Sequence, residues 1–384
     1  MTAFVRDQWY VAAYSGEVAR DLLARTILGE PIVFYRTEDG ASVVALADRC
    51  VHRRYPLSAS SLENDTVVCG YHGFTYDPTG TCVRVPGQTR IPRTARVRSY
   101  PVVEQDSLVW VWIGDPDRAD PTAIPRARHL DSPGWSTVRG MEPIDADYGL
   151  LVDNLLDLSH ETYLHNGYIG TPEVAETPIA TSVDDEAHVV RVSRRMDDAA
   201  CPPFYARSTG IDGRISRRQD IEYFAPCLYL LHSRISPVGD PTRAYHTEIT
   251  YAITPSAPGK VYDFWAVSRD FATDDAELDT FLHDFNRDVV IQDVDALNLL
   301  QRTLDSEPDG YQELSINIDA GALAARRVLA AMTAAAADGA SGSAAVAAPG
   351  SASASASPSP SSSPPSSPPS SSAASASASA SVTG

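Results

Sequence analysis

"CVHRRYPLSASSLENDTVVCGYH" runs from Cys50 to His72 and holds two cysteines and two histidines in two short pairs, Cys50-x-His52 and Cys69-x-x-His72. Thiolates and imidazoles gathered this closely in one chain bind metal. Zinc sites of the finger type group their cysteines as one pair and their histidines as another. Here each pair mixes one of each, across a gap of 16 residues. Gly70 and Gly73 flank Tyr71 and His72, and Pro56 stiffens the first loop. Such loops turn backbone N–H groups toward a bound anion or sulfide.

A [2Fe–2S] centre of the Rieske type has two cysteines on one iron and two histidines on the other. Two loops that each give one Cys and one His satisfy that arrangement. Cys50, His52, Cys69 and His72 are therefore the candidate cluster ligands, with structural zinc as the competing reading. The histidine-bound iron has a raised reduction potential, and its imidazoles keep ring N–H groups free to pass on a proton.

Around the cluster the chain reads as short strands. "RTILGEPIVFYRT" (25–37) and "SVVALADRC" (42–50) are β-rich runs, and "SYPVVEQDSLVWVWIGD" (99–115) reads as a hairpin. The Pro-rich stretch "ADPTAIPRARHLDSPG" (119–134) marks a junction. The expected domains are 1–134, all-β, and 135–338, an antiparallel sheet with long helices, an α+β class. In the second, "DYGLLVDNLLDLSHETYLHNG" (147–167) reads as a helix ending at Gly167, with strands between 178 and 270. Long helices follow in "DDAELDTFLHDFNRDVVIQDVDALNLLQRTL" (274–304) and "AGALAARRVLAAMTAAAA" (320–337). From 339 to 384 the composition is almost only Ser, Ala, Pro and Gly, and a disordered tail is expected.

A second constellation lies in "DLSHETYLH": Asp157, His160 and His165. The two histidines are five apart, about 140° on an ideal helix, too wide for one ion. The helix must therefore loosen or end there, through a π-type turn in this reading. A 2-His-1-carboxylate site for mononuclear Fe(II) needs one acid more. Asp288, Asp293 and Asp295 in "FNRDVVIQDVDALN" are the candidates, and spacing alone leaves them open, Asp293 being favoured by the apolar run before it. His129, His188, His232, His246 and His283 lack partner spacing and read as structural or exposed.

The net charge of −19 sits in the folded body and argues against nucleic acid and anionic membrane partners. It offers a docking surface to a basic partner. Five cysteines without framework spacing point to a reducing compartment, and no signal peptide or long uncharged apolar run is present. The reading is a soluble cytoplasmic protein. No nucleotide-binding glycine motif occurs, so reducing electrons must come from elsewhere.

"CVHRRYPLSASSLENDTVVCGYHGFTYDPTGTCVRVPG", followed by "DLSHETYLH", resembles the Rieske non-haem iron oxygenases, and the resemblance extends from "FVRDQWYVAAY" to "RRVLAAM". "LLVDNLLDLSHETYLHNGYIG", "MDDAACPPFYAR" and "LSINIDAGALAARRVL" are similar to the branch that removes O-methyl groups from vanillate-like aromatic acids. The resemblance implies a helix-grip catalytic domain, a [2Fe–2S] cluster, mononuclear Fe(II) on His160, His165 and Asp293, and an NAD(P)H-dependent reductase as partner. It implies a homotrimer in which Asp157 bridges His160 to His72 of the next protomer. It also implies use of O2 to release formaldehyde from a methoxylated aromatic acid; hydroxylation of a different aromatic substrate is the alternative. A plain Rieske ferredoxin and a zinc-stabilised binding protein are the competitors from other classes.

Overall fold

Three small antiparallel sheets carry the cluster loops. The first orders Gln8–Tyr14, Leu108–Ile113 and Val102–Gln105; the second, Leu23–Ile27, Glu30–Arg36 and Val43–Ala47. The third joins Ser61–Glu63, Thr66–Val68, Thr75–Tyr76 and Cys82–Arg84. The expected hairpin is present, Leu108–Ile113 pairing with Val102–Gln105. Every residue of Leu108–Ile113 is buried, because Gln8–Tyr14 pairs along its other edge and both faces are covered. The Val/Trp alternation there does not divide a wet face from a dry one.

The computed structural model describes residues 3–308 and 312–344. Its largest sheet has seven strands, all antiparallel. Their order is Ser136–Ile144, Lys260–Arg269, Tyr245–Ala257, Leu228–Pro237, Arg214–Phe224, Val189–Ala200 and Ala180–Asp184. Val, Ile and Tyr are frequent in these strands, and their branched and aromatic side chains suit a pleated, half-buried surface. Gly140 lets Trp265 lie across the first strand pair: a Cβ there would be 2.3 Å from the indole. Helices α1 (Tyr148–Leu156), α2 (Pro172–Glu176), α3 (Pro203–Thr209), α4 (Ala276–Ser306) and α5 (Ala320–Ala344) complete the fold. Asp147 and Asp275 cap α1 and α4 by accepting from Gly149 N and Leu278 N. Leu151, Leu155, Leu156 and Leu297 are buried with the sheet in one core. Each such leucine contributes about 2 kcal/mol by leaving water.

The N-terminal sheets and the large sheet share apolar contacts. Trp9, Tyr14 and Trp110 cluster with Leu230 and Phe264. Tyr14 donates its hydroxyl to the Trp265 carbonyl at 2.7 Å. Val5 packs in the core of the large sheet.

Two expectations are corrected. The helix expected over 147–167 ends at Leu156, and the chain continues as a 3₁₀ helix, Leu158–Thr162. The reason is Asp157. Its backbone is extended (φ −119°, ψ 92°), and its carboxylate accepts from Ser159 N at 2.9 Å, starting a new helix instead of prolonging the old one. Gly167 (φ +83°) lies in a later turn. The second correction concerns 339–384. Helix α5 runs to Ala344, as its alanine-rich sequence favours, so the first of these residues are helical; the remainder lies outside the described residues. By length and composition alone Asn317–Ala337 passes for a membrane crossing. Its Ala322, Ala325, Val328, Leu329 and Met332 are instead buried against the protein core.

Candidate functional site

The break after α1 brings His160 and His165 to a common point. The 3₁₀ turn and the looser chain after Thr162 remove the 140° separation that an ideal helix imposes. The chain then folds back so tightly that a Cβ on Gly170 would sit 1.7 Å from the Glu161 carbonyl oxygen. The imidazole rings lie 5.1 Å apart and nearly perpendicular. On α4, Asp293 is buried and faces them, whereas Asp288 and Asp295 are exposed. Asp293 Oδ1 is 3.2 Å from His165 Nε2 and 3.6 Å from His160 Nε2. One ligand atom from each of His160, His165 and Asp293 falls within 4.8 Å of the others, a spacing one ion can span.

The surroundings fix the ligand atoms. His160 Nδ1 lies 2.6 Å from the Asp157 carbonyl, and His165 Nδ1 lies 2.9 Å from Gln292 Oε1. A carbonyl only accepts, so both rings carry their proton on Nδ1 and turn a bare Nε2 to the centre. Asn154 donates to Asp293 Oδ1 at 3.0 Å. His165 Nε2 is buried and has no hydrogen-bond partner. Burial works to lower the His165 pKa, but the Asp293 carboxylate, then Gln292, more than offset it and the pKa is raised. Two imidazole nitrogens, one carboxylate and open coordination positions fit mononuclear iron.

Beside this centre is a partly open cavity. Leu155, Leu158, Phe204, Leu231, Ile249 and Val289 supply its apolar wall. Glu161, Arg217, Tyr229 and Asn286 supply polar groups. Lining of this kind, mostly apolar with a few polar groups, suits an aromatic ligand.

The cluster loops form a near-repeat in structure as in sequence. Cys50 N donates to Tyr55 O and Arg54 N to Cys50 O; Cys69 N donates to Phe74 O and Gly73 N to Cys69 O. Arg54 and Gly73, equivalent in this pattern, both have positive φ. Cys50 and Cys69 are buried, while His52 and His72 are exposed with ring centroids 4.6 Å apart. Phe74 stacks on His52. Burial pushes the Cys69 thiol pKa up, against backbone N–H groups that lower it. Loss of hydration, then His72 and Arg53, lowers the His52 pKa and favours the neutral ring that binds metal. Val51 N donates to the Tyr76 hydroxyl at 3.3 Å, leaving the phenolic hydrogen for Cys50 Sγ at 3.1 Å. Buried sulfur on one side and exposed imidazole on the other fit a [2Fe–2S] cluster reached from the surface.

The sequence singles out the seven side chains that lie at these two places in the fold. It gives no comparable signal for Tyr76, Gln292, Glu161, Arg217 or Tyr229. Tyr76 and Gln292 stand within four residues of a ligand, a weak signal. Arg217 and Tyr229 come from strands more than 50 residues away and carry no local signal. The net negative charge is not spread uniformly: Arg49, Arg53 and Arg54, beside the first cluster pair in the chain, are exposed.

Residues 8–101 match the Rieske [2Fe-2S] domain, and residues 144–335 match the vanillate O-demethylase oxygenase C-terminal domain. A vanillate O-demethylase oxygenase subunit of Pseudomonas sp. strain HR199 is 35% identical over 86% of this chain and 96% of its own length. The oxygenase component of dicamba O-demethylase from Stenotrophomonas maltophilia is 33% identical over 84% of this chain and 96% of its own. The crystal structure of dicamba monooxygenase bound to dicamba superposes with a TM-score of 0.82 at 32% identity, covering 88% of this chain and all of that one. With both centres and both domain matches in one chain, the protein belongs to the Rieske oxygenases of the vanillate O-demethylase oxygenase family.

Proposed function

We propose that this chain is the oxygenase component of a Rieske monooxygenase that O-demethylates a methoxylated, vanillate-like aromatic acid. The observation that carries the reading is the meeting of His160, His165 and Asp293 at 4.8 Å or less beside an aromatic-lined cavity. In this reading Cys50 and Cys69 hold the inner iron of the cluster, and His52 and His72 the outer one. His160, His165 and Asp293 hold the mononuclear iron. When bound, these groups supply stored electrons and dioxygen activation.

The chain's own residues do the rest. The Asp157 carbonyl and Gln292 hold the two imidazoles in the metal-binding tautomer. The apolar wall excludes water from the methoxy carbon. Asp157 links His160 to His72 of a neighbouring protomer in a homotrimer; the exposure of His72 supports that role. Net turnover oxidises the methoxy carbon to formaldehyde and leaves a phenol. It consumes one O2, two electrons and two protons, and yields water. The electrons come from a separate NAD(P)H-dependent reductase, and the enzyme works in the cytoplasm.

The test supplies purified protein with NADH, a reductase, O2 and a series of methoxybenzoates. Formaldehyde in step with substrate loss is the expected result. A ring-hydroxylated product with its methoxy group intact would favour the alternative, oxygenation of a different aromatic substrate. Colourless protein holding zinc and no iron would end every oxygenase reading.

A further inference from the structure

The two cluster loops repeat in backbone but not in charge. Arg49, Arg53 and Arg54 stand in the first loop, around Cys50 and His52, and all three are exposed. The second loop, 66–76, has no Asp, Glu, Lys or Arg. A fourth arginine lies beside it in space. Cys82–Arg84 pairs with Thr75–Tyr76, which sets exposed Arg84 directly across the ladder from Thr75. A Cβ on Gly73 would be 3.0 Å from Pro86, so the chain after Arg84 packs against this loop. Residues 49–98 hold eight arginines against three acids, Glu63, Asp65 and Asp77, in a chain whose net charge is −19. Of these acids, Asp65 is already paired with Arg20.

None of Arg49, Arg53, Arg54 and Arg84 has a side-chain partner among the described residues. Exposed arginines elsewhere, such as Arg20, Arg118, Arg191 and Arg326, do pair with an acid. Arg54 is also strained. It takes the place of Gly73 in the repeated turn and has the same left-handed backbone, φ +57° against +69°. Glycine serves such a turn freely, whereas a Cβ crowds it. The turn itself does not call for an arginine; what the position gains is the charged side chain. Cys50 and Cys69 are 2% exposed, so His52 and His72 are the exposed route to the cluster. A partner that reaches these histidines meets the arginines beside them.

We propose that Arg49, Arg53, Arg54 and Arg84 receive the acidic face of the electron-donor protein, which docks over His52 and His72. The net charge alone points to a basic partner; the local charge at the cluster reverses that sign. This rests on the Rieske oxygenase reading and adds to it the place and polarity of electron delivery. An acidic donor is repelled by the acidic body and attracted beside the cluster, so the field of the protein orients it. Such attraction raises the on-rate more than the lasting affinity. That suits a donor that must arrive and leave for each electron. The step moves one electron from the donor's reduced centre to this cluster, and no covalent bond is made or broken.

The probe is a plant-type [2Fe–2S] ferredoxin, an acidic one-electron donor whose potential lies below that of a Rieske centre. Oxidised ferredoxin should bind the holoenzyme at low salt, read by calorimetry. Reduced ferredoxin should reduce the Rieske cluster in stopped flow. Both should weaken as salt rises. Arg49→Gln with Arg54→Gly removes two charges and gives the turn a residue it favours. That double variant should lower the second-order rate at low salt about tenfold and flatten its salt dependence, with the [2Fe–2S] absorption unchanged. Arg302→Gln with Arg327→Gln, both exposed, on α4 and α5, makes the same change in net charge and should leave the rate unchanged. A rate that is flat or rises with salt, or that falls equally in the two double variants, overturns the proposal. So does loss of the oligomer in Arg49→Gln with Arg54→Gly, read by sedimentation, which would assign these arginines to a contact between copies of the chain. Salt-sensitive reduction without formaldehyde from methoxybenzoates keeps the docking face and rejects the O-demethylation reading. Salt-insensitive reduction with formaldehyde does the reverse.

Discussion

The main-chain carbonyl of Asp157, not its carboxylate, accepts the hydrogen bond from His160 Nδ1, at 2.6 Å. The carboxylate is engaged instead with Ser159 N, as the cap of the following 3₁₀ helix. One residue therefore separates two tasks: its backbone orients a metal ligand, and its side chain is available to other roles. Asp157→Asn keeps the carbonyl and a good capping group. The variant should retain mononuclear iron while electron delivery slows by about 100-fold, read as single-turnover reoxidation of the reduced cluster. Loss of iron in step with the rate would mean that the side chain, too, positions His160.

His160→Ala removes one of two imidazoles from the triad and leaves the cluster loops untouched. Bound iron should fall from about three to about two per chain, with the cluster's visible absorption preserved. A parallel loss of acid-labile sulfide would show that the two centres do not load independently.

Asn154 Nδ2 donates to the Asp293 oxygen that faces both histidines. Asn154→Ala removes that donor and lets the carboxylate turn. Affinity for Fe(II) should drop about 10- to 100-fold in a chelator competition. Unchanged affinity would leave the orientation of Asp293 to helix packing alone.

Tyr76 donates toward Cys50 Sγ. Such a bond favours the more negative, reduced cluster and so raises the potential. Tyr76→Phe should lower the midpoint by roughly 50 mV, for about 1 kcal/mol of preferential stabilisation. A midpoint that does not move, measured by voltammetry, would remove Tyr76 from the tuning of the cluster.

His232 Nδ1 contacts buried Glu248 at 2.9 Å, and its Nε2 is 3.5 Å from Glu222; His129 Nε2 approaches the same Glu248 at 3.7 Å. The Glu248 hydrogen bond, against burial and with help from Glu222, raises the His232 pKa. A raised pKa means the folded chain binds the proton more tightly than the unfolded one. The stabilisation is complete below the ordinary histidine value of about 6.5 and is lost as pH rises through the higher folded value. The Tm advantage over His232→Gln should be about one to three degrees at the acidic end and shrink with rising pH. An advantage that grows with pH would reverse the assigned sign.

The sequence by itself determined the chemistry of the two centres. Cysteine and histidine side chains have few other reasons to pair at such short spacings, so Cys50, His52, Cys69 and His72 were legible as a set, and His160 and His165 were legible beside them. Strand and helix periodicities also placed the all-β half and the antiparallel sheet with its long helices. The tertiary structure decided what depends on distant chain segments. Asp288, Asp293 and Asp295 look alike on paper; only the packing of α4 against α1 and the loop after it buries one and leaves the others in water. The end of α1 at Leu156 was hidden because an aspartate is equally at home on a helix and as its cap, and the backbone of Asp157 took the second option. Arg217 and Tyr229 sit on neighbouring strands and reach the cavity only through sheet register, an alternation that a single strand's sequence leaves free to face either way.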